Sequence, residues 1–368
     1  MHAQSVPQDA VNIDTISESN KNALEPCSPA EAIIQYLKEV PEFQRLSILR
    51  KQGWENPKVT KFFERQRQTA DNSDANTTRH FYNMMKKIGK EMNNATGALK
   101  LKSSSSILDL CMAPGGFLAT ALDLNPNAQA VAFTLPPSDG GHTIFLPEGP
   151  NLTINLVDIT MLAADIGIQS IPQTHPDASN FLPQHLNPDQ KFDLALCDGQ
   201  VLRPNVHHTR PEHRKRGEAT RLTLTQLILA LEHLKPGGTM VVLLHRVEAP
   251  DTVQLLYAFD QFATVRLFKP FVYYAKRSSF YMAATDVTAQ SHEARIAIER
   301  WKRVWRLATF EMEMGDEDYF EAVNEGCPSV EEILERFGPK LVSLGRNIWH
   351  TRANALAKAP WMKNAVQL

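Results

Sequence analysis

The sequence predicts an α/β protein: a mostly parallel, doubly wound sheet with helices on both faces and helical extensions at both ends. Three observations predict it. Between residues 107 and 284, short apolar runs of strand type alternate with stretches whose apolar residues recur every three or four positions. The first run stops abruptly at Gly115-Gly116, and a helical pattern follows, as at a strand that ends near a ligand. Residues 30–50 and 56–94 and the chain beyond Ala289 show helical spacing.

Length and composition favour one catalytic core with terminal extensions. The chain has 368 residues, of which 43% are hydrophobic and 22% charged, as in a soluble globular protein. Its net charge of -2 means that any nucleic-acid surface must be a local patch. The sequence predicts no membrane span and leaves the oligomeric state open.

The cysteines predict neither a metal site nor a disulfide framework. The four of them, Cys27, Cys111, Cys197 and Cys327, are widely scattered and form no CxxC pair or cluster with histidine. The N-terminus also lacks the basic-then-apolar pattern of a secretory signal. We therefore expect a protein of the cytoplasm or nucleus that is not secreted.

Four segments divide the chain. Residues 1–28 are polar and predicted to be disordered. Residues 29–100 are predicted to be helical, beginning with Ser28 as cap and Pro29 at the first helical position. Residues 101–286 form the predicted sheet domain, and residues 287–368 a second helical extension.

The sheet domain is predicted element by element from its apolar runs. Strands are predicted over 107–110, 128–135, 151–157, 192–197, 239–245, 264–268 and 279–284. Helices are predicted over 117–124, 219–234 and 250–260. Two insertions rich in proline with glycine or histidine, 136–150 and 171–190, are predicted to be surface loops.

The end of the first predicted strand is the best candidate for a ligand site. Glycine accepts unusual backbone dihedrals and lets the backbone approach a ligand closely. The helix that follows offers unpaired backbone amides. A glycine turn that merely joins a strand to a helix would look the same, so a glycine pair alone does not decide the question.

The longer motif around that pair is more specific. Asp109-Leu110-Cys111-Met112-Ala113-Pro114-Gly115-Gly116-Phe117 resembles the D-L-x-x-A-P-G-G-[FW] signature of the FtsJ/RrmJ-like methyltransferases, which include ribose 2'-O-methyltransferases of rRNA, tRNA and mRNA caps. The resemblance covers about residues 75–285. It implies S-adenosylmethionine as cofactor and a Rossmann-like, seven-stranded methyltransferase sheet.

The resemblance also implies which residues bind the cofactor. Asp158-Ile159, after the third strand, resembles the family's G-D-[IF]-x segment, whose acid contacts the adenine amine; a loop-starting aspartate is the alternative. Thr134 ends the second strand, where a ribose-binding carboxylate is often found. The full predicted cofactor set is Asp109, Cys111, Ala113, Pro114, Gly115, Gly116, Phe117, Thr134, Asp158, Ile159 and Asp198.

The catalytic residues match the family only in part. Phe192-Asp193-Leu194-Ala195-Leu196-Cys197-Asp198-Gly199 resembles F-D-x-[VI]-x-[SC]-D-[MG], whose last aspartate lies beside the methyl donor. The family's ribose chemistry uses a Lys-Asp-Lys-Glu tetrad. In register, its lysines and glutamate fall at Asn83, Leu243 and Ser279, so Asp198 alone is retained.

Neighbouring side chains offer replacements for the missing tetrad members. Because side chains alternate along a strand, His245 lies on the face of Leu243, and Arg277 on that of Ser279. We therefore predict His245 and Arg277 as catalytic residues beside Asp198, with His245 suited by its ordinary pKa to act as a base. The alternative for His245 is a hydrogen bond to backbone. Lys86, Lys87 and Lys90 are further candidates, although a solvated helix face explains them equally well.

Basic residues after the fourth strand suggest the acceptor. The stretch Arg203–Arg216 is strongly basic, as a phosphate-binding loop would be, and a solvated loop is the alternative. Arg266, Lys269, Lys276 and Arg277 alternate with Phe271, Tyr273 and Tyr274, a pattern that suits single-stranded RNA or an apolar pocket. Ribose 2'-O-methylation of RNA is the leading hypothesis. The alternatives are a small-molecule O- or N-methyltransferase and an inactive protein that binds cofactor or RNA.

Overall fold

The structure of the protein is a computed structural model that describes residues 28–54, 56–71, 75–102, 105–201, 212–215, 217–311 and 314–362. The predicted disordered tail lies outside the described residues, apart from Ser28. So does most of the basic stretch Arg203–Arg216, of which 212–215 are described.

A seven-stranded sheet forms the centre of the molecule. Its strands are β1 (Ser106–Asp109), β2 (Gln129–Thr134), β3 (Leu152–Leu156), β4 (Phe192–Cys197), β5 (Leu234–His245), β6 (Thr264–Phe268) and β7 (Ser279–Val287). The order across the sheet is β3-β2-β1-β4-β5-β7-β6. All neighbours are parallel except that β7 runs antiparallel to both β5 and β6. The predicted α/β methyltransferase sheet is confirmed.

Helices cover the sheet and continue it at both ends of the chain. They are α1 (Pro29–Leu37), α2 (Pro41–Trp54), α3 (Pro57–Asp71), α4 (Ala75–Thr96), α5 (Gly116–Leu124), α6 (Glu212–Lys215), α7 (Glu218–Glu232), α8 (Pro250–Asp260), α9 (His292–Phe310), α10 (Asp316–Asn324) and α11 (Val330–Ala357). At the start of α1, the predicted cap is a full capping box, in which Ser28 Oγ accepts from the Glu31 amide at 3.3 Å. None of the described helices is long and apolar enough to cross a membrane.

Strand alternation divides the core into two layers. Leu194 and Leu196 of β4 point into one layer, which contains apolar side chains of α4 and α5. Ala195 and Cys197 point into the other, larger layer, which contains those of α7, α8, α9 and α11. The sheet is therefore buried on both faces, as expected for parallel strands with nearly continuous apolar runs.

The two helical extensions pack against each other. Helix α11 lies along α1 and α2, although about 300 residues separate them in sequence. The Phe43 ring meets the fully buried Trp349 edge-on, with ring centroids 5.4 Å apart. At the edge of this contact, Arg45 donates to Asn354 at 2.6 Å. The chain's ends thus form one helical body beside α8 and β6.

The insertions are more tightly packed than surface loops need to be. In the second of them, the amides of His185 and Leu186 donate to the Asp165 carboxylate at 2.9 and 2.7 Å. Leu186 and Asp177 are buried. In the first insertion, the Phe145 amide donates to the Pro114 carbonyl at 3.0 Å, which folds the loop back over the glycine pair.

Helix α4 lies so close to α5 that a side chain at Gly116 would clash. A Cβ built there would lie 2.6 Å from Met85 Cβ and would also collide with the Tyr82 carbonyl oxygen. We expect Gly116→Ala to lower the free energy of unfolding by about 1–3 kcal/mol, because α4 must move away. Denaturant unfolding measures the loss.

Gly53→Ala in α2 is the matched control. The nearest atom to a Cβ there is Val59 Cγ2 at 4.0 Å, an ordinary contact. Alanine also favours the helix, so we expect a gain of roughly 0.5–1 kcal/mol. If both variants show the same small change, the close packing of α4 on Gly116 is wrong.

Candidate active site

The predicted site residues meet at one edge of the sheet. Asp109 ends β1, Thr134 ends β2, Asp158 follows β3 and Asp198 follows β4. Because these strands are parallel neighbours, their carboxyl ends lie side by side. From β1 the chain continues to β2 on one side, whereas β4, a later strand, lies on the other side of β1. A crevice therefore opens between β1 and β4, and this is where doubly wound sheets bind ligands.

Gly115 allows the loop after β1 to be covered closely. Its φ of 100° lies in the left-handed region, and a Cβ there would lie 2.7 Å from Leu146 Cβ of the first insertion. Ala113 and Pro114, which precede it, are joined by a cis peptide bond. The Met112 amide donates to the Phe133 carbonyl at 2.9 Å, so the loop is fixed to β2 as well.

Two carboxyl groups, those of the buried Asp109 and the partly buried Asp198, lie at the mouth of the crevice. Asp109 is only 3% exposed, and its Oδ1 accepts from the Cys111 amide at 3.2 Å. Burial raises the pKa of Asp109 to about 7. Burial and the neighbouring charge of Asp109 raise the pKa of Asp198 well above its usual range. Within the described chain, no basic side chain lowers the pKa of either group.

The pKa of the Cys111 thiol shows that three carboxyl groups lie near it. Burial raises its pKa, and the charges of Asp109, Asp158 and Asp198 raise it further. No basic side chain of the described residues lowers the pKa of Asp109 or Asp198, so these two acids favour a cationic ligand, whose charge would stabilise their ionised forms.

Asp158 performs the loop-capping role that the sequence offered as an alternative. Its Oδ1 accepts from the amide of Thr160 at 3.0 Å and from the Thr160 hydroxyl at 2.7 Å. This caps a single 3-10 turn, Ile159–Met161, and holds Asp158 at the end of β3.

Tyr281 faces Asp198 across a small cavity, and sequence reasoning missed it. The cavity is lined by Phe117, Leu196, Cys197, Asp198, Val241 and Tyr281. The Tyr281 hydroxyl is completely buried and forms no hydrogen bond of ordinary geometry with the described residues. Asp198 is nevertheless near enough to raise the pKa of this phenol, together with burial, well above 10. Strand alternation was the available signal, since Ser279 and Tyr281 share one face of β7.

Gln226 of α7 fixes the chain just after Asp198 and was also missed. Its Oε1 accepts from the Gly199 amide at 2.8 Å. A Cβ at Gly199 would lie 2.7 Å from that same oxygen and would collide with Cys111 Sγ. The contact thus joins the loops that follow β1 and β4.

The residues at the three unmatched tetrad positions cannot replace the lysines and the glutamate of the family pattern. Asn83 is exposed on α4, Leu243 packs into the core layer, and Ser279 is buried. Lys86 forms an ion pair with Asp123 at 2.9 Å, and Lys87 donates to the Tyr273 hydroxyl at 3.3 Å.

His245 and Arg277 lie at the same edge, beyond Asp198. The His245 side chain is exposed, and its carbonyl accepts from the Thr252 hydroxyl at 2.8 Å. Arg277 stacks over the Tyr274 ring at 5.0 Å. The pKa of Asp198 responds to Asp109 and Tyr281, and neither His245 nor Arg277 contributes to it.

Lys269 is buried, which corrects its expected place on the surface. Its side chain is 0% exposed, and Nζ donates to the carbonyls of Tyr274 at 2.8 Å, Arg277 at 2.6 Å and Ser279. Burial, followed by the charges of Arg352 and Arg277, lowers the pKa of Lys269 well below its usual range. Lys269 therefore fixes the loop between β6 and β7.

The described end of the basic stretch is anchored to the second insertion. Asp177 Oδ2 accepts from His213 Nε2 and from Arg214 Nε, both at 2.7 Å. Burial opposes ionisation of Asp177, but hydrogen bonds from Arg214, Asn180 and His213 outweigh it, so the pKa of Asp177 lies well below its usual range. The insertion thus fixes the point where the basic stretch returns to α7.

Comparison with known proteins places this site in a family. Residues 89–286, more than half of the chain, match the family described as FtsJ-like methyltransferase, and the chain belongs to it. It is therefore an S-adenosylmethionine-dependent methyltransferase. The membership rests on this match.

Solved structures of other methyltransferases are similar at low identity. A Plasmodium falciparum protein described as a ribosomal RNA methyltransferase is 18% identical, with a TM-score of 0.33, covering 54% of this chain and 93% of its own. An rRNA methylase of Streptococcus thermophilus is 14% identical, with a TM-score of 0.30, covering 53% and 95%. Human methyltransferase-like protein 13, solved with SAH, is 12% identical, with a TM-score of 0.33, covering 58% and 91%.

The raised pKa of Asp109 makes the stability of the cofactor-free protein pH-dependent. The folded protein holds a proton at Asp109 up to about pH 7, whereas the unfolded chain releases it near pH 4. This contribution to the free energy of unfolding is fully present below about pH 4 and is lost as the pH rises through about 7. Asp109→Asn retains an acceptor for the Cys111 amide and removes the titration. We expect the variant to exceed the wild type by roughly 2–4 kcal/mol at pH 8, and to equal it near pH 4.

Urea unfolding at several pH values measures this difference. Asp123→Asn is the control, because that carboxyl is largely exposed at the end of α5 and should give no gain that grows with pH. A constant difference between Asp109→Asn and wild type from pH 4 to 8 would show that Asp109 is not a strained buried acid.

Proposed function

We propose that this FtsJ-like methyltransferase methylates a ribose 2'-hydroxyl of RNA. The observation that carries the proposal is the division of charge along the sheet edge. Carboxyl groups gather at β1 to β4, where a cationic donor would bind, and basic and aromatic side chains gather at β5 to β7. An RNA acceptor is a polyanion with exposed bases, and both features fit the second half of the edge.

The residues around β1 fit S-adenosylmethionine, which supplies an activated methyl group on a sulfonium cation. Asp109 and Asp198 would face its positive charges, and their ionised forms would be stabilised when it binds. The loop Cys111, Ala113, Pro114, Gly115, Gly116 and Phe117 would follow its amino-acid part. Thr134, Asp158 and Ile159 would hold the nucleoside, with Asp158 accepting from the adenine amine.

Asp198 is the proposed base of the transfer. The bond that forms joins the ribose oxygen to the methyl carbon, the carbon–sulfur bond breaks, and the hydroxyl proton passes to the Asp198 carboxylate. The positive charge of the bound cofactor would keep Asp198 ionised although burial raises its pKa in the empty site, and the carboxylate is the form that can accept a proton. Tyr281, whose buried hydroxyl faces the same cavity, would orient that carboxylate or the acceptor oxygen.

His245 and Arg277 belong to the acceptor side of the proposal. Both lie at the carboxyl edge beyond Asp198, where an RNA chain would cross from the donor site to β7. Direct positioning of the two reactants is the main task in such a displacement, so side chains that hold the acceptor contribute without exchanging a proton.

The loss of three tetrad positions favours a second candidate function: a protein that binds the cofactor and RNA without methyl transfer. Asn83, Leu243 and Ser279 supply neither the lysines nor the glutamate that the resemblance leads one to expect. The two candidates differ in one measurable quantity, the turnover of bound cofactor.

Transfer of tritiated methyl from S-adenosylmethionine to total RNA tests the leading proposal. We expect label that alkaline hydrolysis leaves in dinucleotides, because a methylated 2'-oxygen cannot attack the adjacent phosphate. Label in mononucleotides would place the methyl group on a base, and label only in a metabolite extract would reject RNA as the acceptor. Cofactor binding without label in either pool would support the non-catalytic candidate.

Point variants then assign the base. We expect Asp198→Asn to reduce kcat by about 10²–10⁴-fold, the usual contribution of a positioned base. His245→Ala should reduce it far less and should mainly raise the KM for RNA. If His245→Ala removes the transfer while Asp198→Asn retains it, the assignment is reversed.

A further inference from the structure

A cluster of arginines lies at the β5 end of the sheet edge, outside the donor site. We define it as Arg50 of α2, Arg246 after β5 and Arg352 of α11, gathered around the carboxylate of Glu248, together with Arg277 of the neighbouring loop before β7. We propose that this arginine cluster binds a backbone phosphate of the RNA acceptor. This inference rests on the proposed function and names a subsite for its substrate.

Three guanidinium groups act on the one buried carboxylate of Glu248. Arg50 Nη1 lies 2.7 Å and Arg246 Nε 3.4 Å from Glu248 Oε1, while Trp349 Nε1 donates to Oε2 at 3.3 Å. Burial opposes ionisation of Glu248, but the charges of Arg50, Arg352 and Arg246 outweigh it and hold its pKa below the usual range. The cluster is thus a concentration of cations held in place around a single buried acid.

The same positive field extends to the loop between β6 and β7. Arg352 and Arg277 both lie near enough to lower the pKa of the buried Lys269, whose ammonium group is held by carbonyl oxygens. Arg352 Nε also lies 3.4 Å from the Lys276 carbonyl, which ties α11 to this loop. An anion placed here would meet several cations held in fixed positions.

The cluster lies within reach of Asp198 along the edge. The register pairs Cys197 with Val242, which puts Asp198 beside Leu243, and Arg246 follows three residues later. At a strand rise of about 3.3 Å per residue, the two lie about 10 Å apart along β5. The Arg246 amide donates to the Ser278 carbonyl at 3.2 Å, so this position is fixed to the start of β7. One RNA chain can therefore reach both places.

The backbone at Arg246 supports a function beyond packing. Its φ of 50° lies in the left-handed region, which costs a residue with a side chain about 1–2 kcal/mol. Such conformations persist where the surrounding structure enforces them, and they concentrate at binding sites. Here the strain turns the chain so that Arg246 lies beside Glu248.

Phosphate is the anion that the chemistry favours. Guanidinium groups present planar pairs of donors that match phosphate oxygens, and the Arg50 and Arg246 side chains are only 18% and 26% exposed, so less freedom is lost on binding. Phe271 and Val272, at the tip of the neighbouring loop, are 63% and 72% exposed. An exposed aromatic ring on the same loop as Arg277 suits a single-stranded nucleic acid, whose bases stack on aromatic side chains.

Two members of the cluster come from outside the matched family segment. Arg50 and Arg352 lie on α2 and α11, whereas the family match covers residues 89–286. The packing of α2 against α11 is what brings them to the edge of the sheet. The proposal thus assigns a binding function to the helical extensions.

Fluorescence anisotropy with a short, fluorescein-labelled, single-stranded RNA of mixed sequence tests the subsite in the full-length protein. We expect Arg352→Gln and Arg50→Gln to weaken binding roughly three- to tenfold at moderate salt. Each should reduce the slope of log affinity against log salt by about 0.7, the value for one phosphate contact on a single strand. Affinity for S-adenosylmethionine should stay unchanged.

Glu248→Gln is expected to change RNA affinity in the opposite direction, which distinguishes an RNA-binding cluster from a purely structural one. Removing this carboxylate should tighten RNA binding several-fold, whereas a purely structural cluster would lose affinity or stability with every substitution. Arg303→Gln is the matched control, because Arg303 pairs with Glu325 at the contact of α9 with α10. It should leave RNA affinity and salt slope unchanged.

The outcomes distinguish this inference from the function on which it rests. If the wild type binds and methylates RNA but the cluster variants behave like Arg303→Gln, the subsite is wrong and the proposed function stands. If the wild type neither binds nor methylates RNA, both are rejected. A Glu248→Gln variant that folds normally but binds RNA more weakly would also reject the subsite.

Discussion

The burial of like charges between β1 and β4 is the constraint on which the site depends. The parallel register sets Asp109 level with Leu196, so the two strands end together and deliver Asp109 and Asp198 to the same crevice. Burial raises the free energy of ionising Asp109, and burial together with the charge of Asp109 raises that of Asp198. In the proposed function, a cationic cofactor would offset this cost. Such a site would favour the donor over neutral molecules of similar shape.

Close packing over the loop after β1 strengthens the charge interactions in the crevice. Gly115 lies under Leu146 and Gly116 under α4, so the loop after β1 is covered from two sides by elements that tolerate no side chain there. Charge interactions strengthen as water is excluded, since the local dielectric constant falls. The N-terminal helices thus border both halves of the edge: α4 packs on the loop after β1, and α2 contributes Arg50 near the end of β5.

Local sequence patterns were sufficient to predict the strands and the placement of Asp109, Asp158 and Asp198 at their ends, because hydrophobic periodicity and short motifs are local. Tyr281 was missed although strand alternation pointed to its face, since the family pattern directed attention to position 279. The burial of Lys269 could not be predicted, because it depends on carbonyls of a loop that folds back on it. Local sequence patterns could not predict the surroundings of Glu248, because Arg50 and Trp349 contact it from opposite ends of the chain.

The two halves of the edge also explain why an incomplete tetrad need not abolish transfer. In the family pattern, lysines and a glutamate lie around the central aspartate and tune its neighbours' proton affinity. In the proposed reaction of this chain, these tasks would be separated along the edge. Burial raises the pKa of Asp109, and burial and the charge of Asp109 raise that of Asp198, whereas the cations lie farther along, at β5 to β7. Asp198 would accept the hydroxyl proton while the distant cations would hold the acceptor's phosphates, so different residues would bind the acceptor and remove its proton.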